Sequence, residues 1–317
     1  MTGNDAQVRA LTIGAHVLDT LVRPVEALPP GQGATLVEQI AISPAGTAAA
    51  AAMVLSKLGA QVRTAGVIGD DPSGTMLAML LQSDGVDTTL LHRMPGMPTS
   101  ASVLPIRPDG GRPAFHVIGT NQYLAQHIPW EAIDDADIVY LGGVEFYGGE
   151  LAAQILRRAR EGGAVTAADS LSPGFPGTLD YIQAALPEID YLLPNDEQVI
   201  GWTGAPTLHE GCRKLVERGA RCVVATAGPN PTVIATADGT IEVSAYPVDV
   251  VDTSGCGDSF SAGFLRGISL GQEPRQAARL GHATAAQVAQ GLGSNFGSFT
   301  LDTVQQFIID REQEMSK

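Results

Sequence analysis

The sequence predicts an α/β fold: a mostly parallel sheet covered by helices on both faces. Three observations predict it. From about residue 137 onward, short apolar runs alternate with helical patterns. The helical patterns repeat apolar residues at three- and four-residue spacing, the mark of a helix buried on one face. The apolar runs read as buried strands, and strands joined by helices imply right-handed βαβ crossovers.

In chain order, GATLVEQIAI (33–42) reads as a strand, residues 46–58 as a small-residue helix, and TAGVIGDDPSG (64–74) as a strand entering a loop. TSASVLPIRPDGGRPAFHVIG (99–119) reads as strands broken by turn residues, with PDGG (108–111) as a hairpin. These pieces predict a small β excursion from two separated segments, about 18–43 and 98–119. IVYLGG (138–143), AVTAAD (164–169), YLLPN (191–195) and CVVATAG (222–228) are the buried strands. ELAAQILRRAREG and LHEGCRKLVERG are the helices between them. In the second, Leu208, Cys212, Leu215 and Val216 share one face, and Gly219 supplies the stop. Ligands of such sheets sit beyond the carboxyl ends of the strands, which here carry Glu145, Asp169, Asn195 and Thr226. With no low-complexity linker and no repeat of fixed period, residues 1–317 read as one large domain.

The chain has 317 residues, enough for a large core, with 44% hydrophobic and 17% charged residues and a formal net charge of −15. Spread along the chain, that charge excludes a basic nucleic-acid footprint and electrostatic docking on anionic lipid. It leaves a phosphorylated ligand open, because a local site can be positive. Cys212, Cys222 and Cys256 are odd in number and lack metal-ligand spacing, so neither a disulfide framework nor zinc is expected. The start, MTGNDAQVRALTIG, does not read as a secretory signal, and AGTAAAAAMVLSKLG is too short to span a membrane. A cytoplasmic protein with no membrane or nucleic-acid partner is expected.

The chemistry concentrates in DTSGCGDSFSAGF (252–264). TIEVSAYPVDVV alternates before it, and Phe260, Phe264, Leu265 and Ile268 make one helical stripe after it. Asp252 to Asp258 therefore reads as a strand-to-helix loop with glycines at the helix N-terminus. There the first N–H groups lack helical partners and the macrodipole is positive, so bare backbone can approach a phosphate. The Asp258 carboxylate would either cap the helix or face what binds the cradle; spacing alone does not choose. No GxxxxGK[ST] or HExxH occurs, there is no GxSxG nucleophile elbow on a strand-to-helix turn, and GLGSNFG (291–297) is one residue off a dinucleotide fingerprint and follows a helical pattern.

DTSGCGD resembles the DTxGAGD signature of the ribokinase-like carbohydrate kinases, the phosphofructokinase B family. GAHVLDT (14–20) is similar to that family's opening strand, with its substrate-binding aspartate at Asp19. AGTAAAAAMVLSKLGAQVRTAGVIGDDPSG (45–74) resembles its first signature, and Asn195, Thr226 and Gly228 fall where the family contacts the triphosphate. The resemblance implies a ribokinase-like three-layer sandwich with a small β-sheet lid. It implies Mg2+-dependent transfer of the γ-phosphoryl group of ATP to a hydroxyl of a sugar or sugar-like molecule. Gly255, Cys256 and Gly257 would neutralise the transferring group through their N–H groups, with Gly255 and Gly257 also touching the nucleotide, and Asp258 would accept the hydroxyl proton. Asp252 would help hold K+, or be a turn aspartate bonded to its own backbone. Pairing of two copies through the lid is a further implication, since it covers exposed strand edges.

The sequence departs from the pattern in places. Ala45 and Gly46 stand for the family's GG, and Ala50 for an asparagine that touches the sugar, so one polar substrate contact is absent. Gln198 stands where a glutamate organises Mg2+ waters; it can accept a water's hydrogen bond without the charge. Pro231 replaces the last glycine of TxGxxG, and Cys256 replaces an alanine, its thiol exposed to a lowered pKa at a helix N-terminus. Glu145 is a substrate ligand or a solvated loop carboxylate. Asn121 reads as a lid element or a turn residue, His16 and His116 as packed or surface residues, and GHATAAQVAQG (281–291) as a close-packed helix bordering the adenine. A nucleoside kinase of the same fold, or a sugar- or nucleotide-binding regulatory protein without turnover, stands as the alternative.

Overall fold

A computed structural model describes residues 7–108 and 111–315. The first two strands part at once into different sheets. β1 (Arg9–Gly14) pairs in parallel with strands far along the chain, whereas β2 (Val17–Arg23) turns away into a second sheet. β3 (Gln39–Ala45) lies antiparallel to β2, from Val17↔Ala45 to Arg23↔Gln39. The expected strand over 33–42 thus begins six residues late. β2 ends at Arg23, before Pro24, which has no N–H to offer, so pairing stops where Glu38 N–H donates to Arg23 O at 3.1 Å, and residues 33–36 stay exposed.

Gly46, at φ 88°, then opens α1 (Thr47–Lys57), whose residues 47–55 are all buried. β4 (Gln61–Gly69) follows. The stretch after it, expected as a loop, starts α2 (Pro72–Ser83): Asp71 Oδ1 accepts from Gly74 N–H at 2.7 Å and Pro72 takes the first helical position. β5 (Asp87–Met94) completes that edge of the main sheet. β6 (Ala101–Pro105) and β7 (Phe115–Val117) rejoin the small sheet, whose order is β3-β2-β6-β7. Asp109 and Gly110 of the expected PDGG hairpin lie outside the described residues, but β6 and β7 pair antiparallel across it.

The remaining chain alternates as expected: α3 (Trp130–Ile133), β8 (Ile138–Gly142), α4 (Gly148–Glu161), β9 (Val165–Ala168), α5 (Thr178–Ile182) and β10 (Tyr191–Leu192). After them come α6 (Asp196–Thr203), α7 (Leu208–Glu217), β11 (Val223–Ala227), β12 (Asn230–Thr236), β13 (Gly239–Val243), α8 (Cys256–Ser269), α9 (Pro274–Val288) and α10 (Leu301–Met315). The nine-stranded sheet runs β13-β12-β11-β10-β9-β8-β1-β4-β5, and all pairs but the two involving β12 are parallel. Alternate residues of a strand feed opposite cores. Ala10, Ile138 and Tyr140 face the core shared by α1, α8 and α9, while Leu11, Ile13, Val139 and Leu141 face that of α4 and α7. This is the expected three-layer α/β sandwich. No helix among the described residues is long and apolar enough to cross a membrane, and the three cysteines are free thiols.

Two expected strands are shorter than their apolar runs. β10 stops at Leu192 because Pro194 follows, although Asn195 and Thr226 still form a parallel bridge. β13 stops at Val243, so residues 244–251 run irregularly to the glycine loop rather than as a strand. The strand-to-helix loop is therefore fed by a coil.

Candidate active site

The carboxyl ends of β9, β10 and β11, the N-terminus of α8 and one face of the small sheet enclose a cleft of about 880 Å³. Smaller hollows of about 490 and 370 Å³ lie around Arg157 and Arg160, whose guanidinium groups are ion-paired to Glu188. The cleft takes its shape from the glycine loop. Gly255 adopts φ 72°, ψ 3° as N-cap, which starts α8 at Cys256 and puts Asp258 in its first turn. That position overturns the plain N-cap reading of Asp258: the cap is Gly255 and no side chain serves it. The N–H groups of Gly255 and Gly257 have no partner among the described residues, while that of Cys256 closes a 3.3 Å turn onto Thr253 O. Cys256 is thus not a free donor, and the cradle rests on Gly255 and Gly257. A Cβ at Gly257 would meet nothing within 4 Å, so open space lies before the helix end.

Register places a polar row across the small sheet. Asp19 pairs with Ser43 of β3 and with Ser102 of β6, and Ser102 pairs with His116 of β7. Directly opposed residues share a face, so the four stand in line. Ser102 Oγ and His116 Nδ1 are 3.0 Å apart. Asp19 lies within β2, buried, with Oδ1 lacking any partner among the described residues. Thr47 Oγ1, at the mouth of α1, and His282 Nε2, on α9, are likewise buried, unpartnered and in the lining. Unsatisfied buried groups are costly, so three at one cleft are ready-made ligand contacts.

Burial dominates the titration of the carboxylates. It pushes Asp258 up to about 7, with Arg112 lowering and Asp19 raising it, and Asp19 up to about 6, against a hydrogen bond from Ser102 and the charge of Arg112. Asp169, at the end of β9, is raised by burial and by facing Asp258. Its oxygens accept from Tyr140 Oη–H at 2.5 Å and Gly143 N–H at 2.9 Å. Burial also reverses the expectation for Cys256: with Asp252 and Asp258 nearby, its thiol is pushed up to about 12. A reactive thiolate does not form there.

Other expected residues fall differently. Gly46, Asn195, Thr226 and Gly228 line the cleft, and Asn195 also caps α6 through Oδ1, 2.8 Å from Gln198 N. Ala50 does not line it; one turn into α1, it packs in the core. Glu145 does not line it either and is not a solvated carboxylate, because Oε1 accepts from Leu171 and Ser172 N–H at 2.9 and 2.7 Å. Gln198 borders the cleft, but its amide is used internally. Oε1 accepts from Asn195 N–H at 2.9 Å and Nε2 donates to Ser170 and Ser172 carbonyls at 2.7 and 2.9 Å. Pro231 is the second residue of β12, outside the lining; Gly228 and Pro229 shape that turn instead. Asn121 grips the backbone N–H and C=O of His16, both at 3.2 Å, and so ties the β1–β2 junction to the 119–126 segment. His16 is fully buried, its pKa lowered to about 4 by burial, and bonded to Gly14 O and Thr64 Oγ1.

Asp252 makes the backbone bonds of a turn aspartate. Oδ1 accepts from Ser254 N–H and Oγ–H at 2.9 and 2.8 Å, and Oδ2 from Gly293 N–H at 3.0 Å. Four lining or supporting residues escaped the sequence reading: Thr47, Arg112, Tyr140 and His282. Tyr140 carried a signal, since a hydroxyl inside the apolar run IVYLGG needs a buried partner.

The site fits a nucleotide with its metal. Among the described residues no three His, Cys, Asp or Glu side chains form a metal cluster, whereas Asp169, Asp196 and Glu197 line the cleft. That donor set suits Mg2+ held by phosphates and waters rather than by a protein cage.

Comparison with known proteins agrees with this geometry. The profile of the pfkB family carbohydrate kinases matches residues 9–300. The chain is 28% identical over 306 residues to an ATP-dependent ribose-1-phosphate kinase of Halopiger xanaduensis, covering 96% of this chain and 99% of that protein. It is 27% identical over 292 residues to a cytidine kinase of Thermococcus kodakarensis, covering 89% and 96%. A crystal structure of a putative ribokinase from Agrobacterium tumefaciens superposes with a TM-score of 0.86 at 25% identity, covering 98% and 100%.

Proposed function

The chain belongs to the pfkB family of carbohydrate kinases, and from that premise we propose that it transfers the γ-phosphoryl group of ATP to a hydroxyl of a sugar or sugar-like molecule. The observation that carries this is the meeting of three parts in one cleft: Asp19 Oδ1 and the N–H groups of Gly255 and Gly257, all without partners among the described residues, and the half-buried Asp258 carboxyl. Asp19 orients the acceptor, because a carboxylate oxygen without a partner suits a sugar hydroxyl. Asp258 holds the attacking hydroxyl and takes its proton late, as the oxygen acidifies on attack. Gly255 and Gly257 neutralise charge on the transferring group, which is most of what phosphoryl transfer asks of a protein. Mg2+ supplies charge neutralisation on the phosphates when bound. Asn195, Thr226 and Gly228 line the nucleotide end, with α9 as its wall.

A panel of D-ribose, 2-deoxyribose, ribose 1-phosphate and cytidine, scored by ADP release, tests this function. Turnover of at least one is expected. ATP binding without turnover of any acceptor would instead support the regulatory, non-catalytic alternative.

Two finer features belong to the same proposal. The buried Asp252 carboxylate has no cationic side chain bonded to it among the described residues, which supports a K+ ion beside it. Exchange of K+ for tetramethylammonium is then expected to lower kcat, and unchanged activity removes the ion. The small sheet acts as a lid within a single unit. Its outer face exposes Ile40, Ile42, Val103, Phe115 and Val117, which supports pairing of two copies through it. Phe115→Asp should then halve the sedimenting mass, and an unchanged mass argues against the pairing.

A further inference from the structure

The cleft is acidic apart from one cation. Asp19, Asp169, Asp196, Glu197 and Asp258 line it, and Arg112 is the only Lys or Arg side chain among its described lining residues. Arg112 comes from the loop between β6 and β7, on the small sheet, yet its Nη1 lies 3.3 Å from Ser254 Oγ in the glycine loop. Among the described residues no carboxylate forms an ion pair with it, although Asp19 and Asp258 are near enough to feel its charge. An arginine held by one long bond to a hydroxyl, beside a helix N-terminus with two free N–H groups, has four further N–H donors without a partner among the described residues.

We infer that Arg112 is a catalytic arginine, delivered by the small sheet to the transferring phosphoryl group beside Gly255 and Gly257. This rests on the kinase function proposed above. In the reaction, a bond forms between the acceptor oxygen and the γ-phosphorus as the bond from that phosphorus to the β,γ-bridging oxygen breaks. The bridging oxygen leaves with its electron pair on ADP, and the acceptor's proton passes to Asp258. Charge spreads over the three equatorial oxygens of the phosphoryl group and onto the bridging oxygen. The two glycine N–H groups are neutral donors, whereas a guanidinium is a full charge with a planar fork matched to phosphate oxygens. Placed there, it acts mainly on the transition state, where that charge is greatest. A lysine would keep the charge and lose the fork.

The alternative use of such an arginine is to grip an anionic acceptor, and the two uses separate kinetically. Arg112→Ala and Arg112→Lys are compared with the native chain, with each acceptor of the panel that the native chain phosphorylates. If no acceptor is phosphorylated by the native chain, the kinase function itself has failed, before Arg112 is reached. Otherwise Arg112→Ala is expected to lower kcat by about 10³-fold with every acceptor, charged or neutral, and to leave the KM for ATP within about threefold. Guanidinium chloride added to Arg112→Ala should restore part of the lost rate, and Arg112→Lys should keep an intermediate rate. ADP with aluminium fluoride, a mimic of the transferring group, should bind native protein tightly and Arg112→Ala weakly, while ADP alone binds both equally. Arg112 is exposed, so its replacement should leave Tm unchanged. A kcat within about threefold of native, or a loss confined to the KM of ribose 1-phosphate, overturns the inference. So does an Arg112→Ala rate that guanidinium leaves untouched together with undiminished aluminium fluoride binding.

Discussion

Asp258→Asn is expected to lower kcat by about 10³-fold while leaving the Kd values for ATP and acceptor within about threefold. Asn matches the carboxylate in shape and keeps an acceptor oxygen, so the acceptor hydroxyl is still held. What is lost is the site for its proton. A kcat within about tenfold of native would mean that the proton leaves by another route. The same carboxyl sets the pH dependence. Burial raises Asp258 to about 7, so the competent, ionised form grows as pH rises through that value. The native kcat/KM should therefore fall on the acid side, by about tenfold per unit well below pH 7. An acid limb near pH 4 would show that the free enzyme does not hold Asp258 at a raised pKa. The sign for stability is opposite to the usual carboxylate. A raised folded pKa means that folding takes up a proton between the unfolded and folded values, so the ionised group weakens the fold above about pH 7. Asp258→Asn should accordingly match or exceed the native Tm at pH 8. Loss of activity with a raised or equal Tm separates chemistry from misfolding.

Gly255→Ala should cost both fold and function, whereas Gly257→Ala should cost function alone. At Gly255 the φ of 72° is strained for any Cβ, and the Cβ would stand 2.5 Å from Ser294 Cβ. Left-handed strain and overpacking together cost about 3 kcal/mol, which lowers Tm by about 5–10 °C in a chain of this size. Displacing Ser294 also disturbs the neighbouring Gly293, whose N–H holds Asp252, so kcat should fall by at least about 10²-fold. At Gly257 a methyl meets no protein atom, so Tm should hold. The methyl would instead fill the space before the helix end, and the KM for ATP should rise. Equal Tm values for native and Gly255→Ala proteins would show that the loop relaxes around the methyl.

How much of this was legible depends on where each feature's cause lies. The main sheet from β8 to β11 was readable because its signal is local: apolar runs, amphipathic helices and their glycine stops. The small sheet was legible in outline only, since β2 pairs with β6 some 80 residues later and β3 starts where β2, not its own sequence, allows. Asp258 resisted because cap and first-turn residue differ by one dihedral at Gly255. Gln198, Glu145 and Ala50 matched or departed from family positions, yet their surroundings decided their work: a capping box, two loop N–H groups and a buried helix face. Cys256 shows the same limit in energy. A helix N-terminus favours a thiolate, but burial beside two aspartates outweighs it. Arg112 carried no local signal, because its place depends on a hairpin meeting a loop 142 residues away.

One short segment joins the two halves of the cleft. Between α9 and α10, Gly293 N–H holds Asp252, Asn295 Oδ1 accepts from Ser43 Oγ–H at 3.0 Å, and Lys57 Nζ reaches the Asn295 and Gly297 carbonyls at 2.5 and 3.0 Å. The acceptor side, through β3, and the phosphate side, through Asp252, thus lean on a common strut. Were β3 to move when an acceptor binds, the footing of the glycine loop would change with it, and the free energy of that change would enter both binding equilibria. Thermodynamic linkage then makes the effect mutual: the factor by which acceptor sharpens affinity for nucleotide is the factor by which nucleotide sharpens affinity for acceptor.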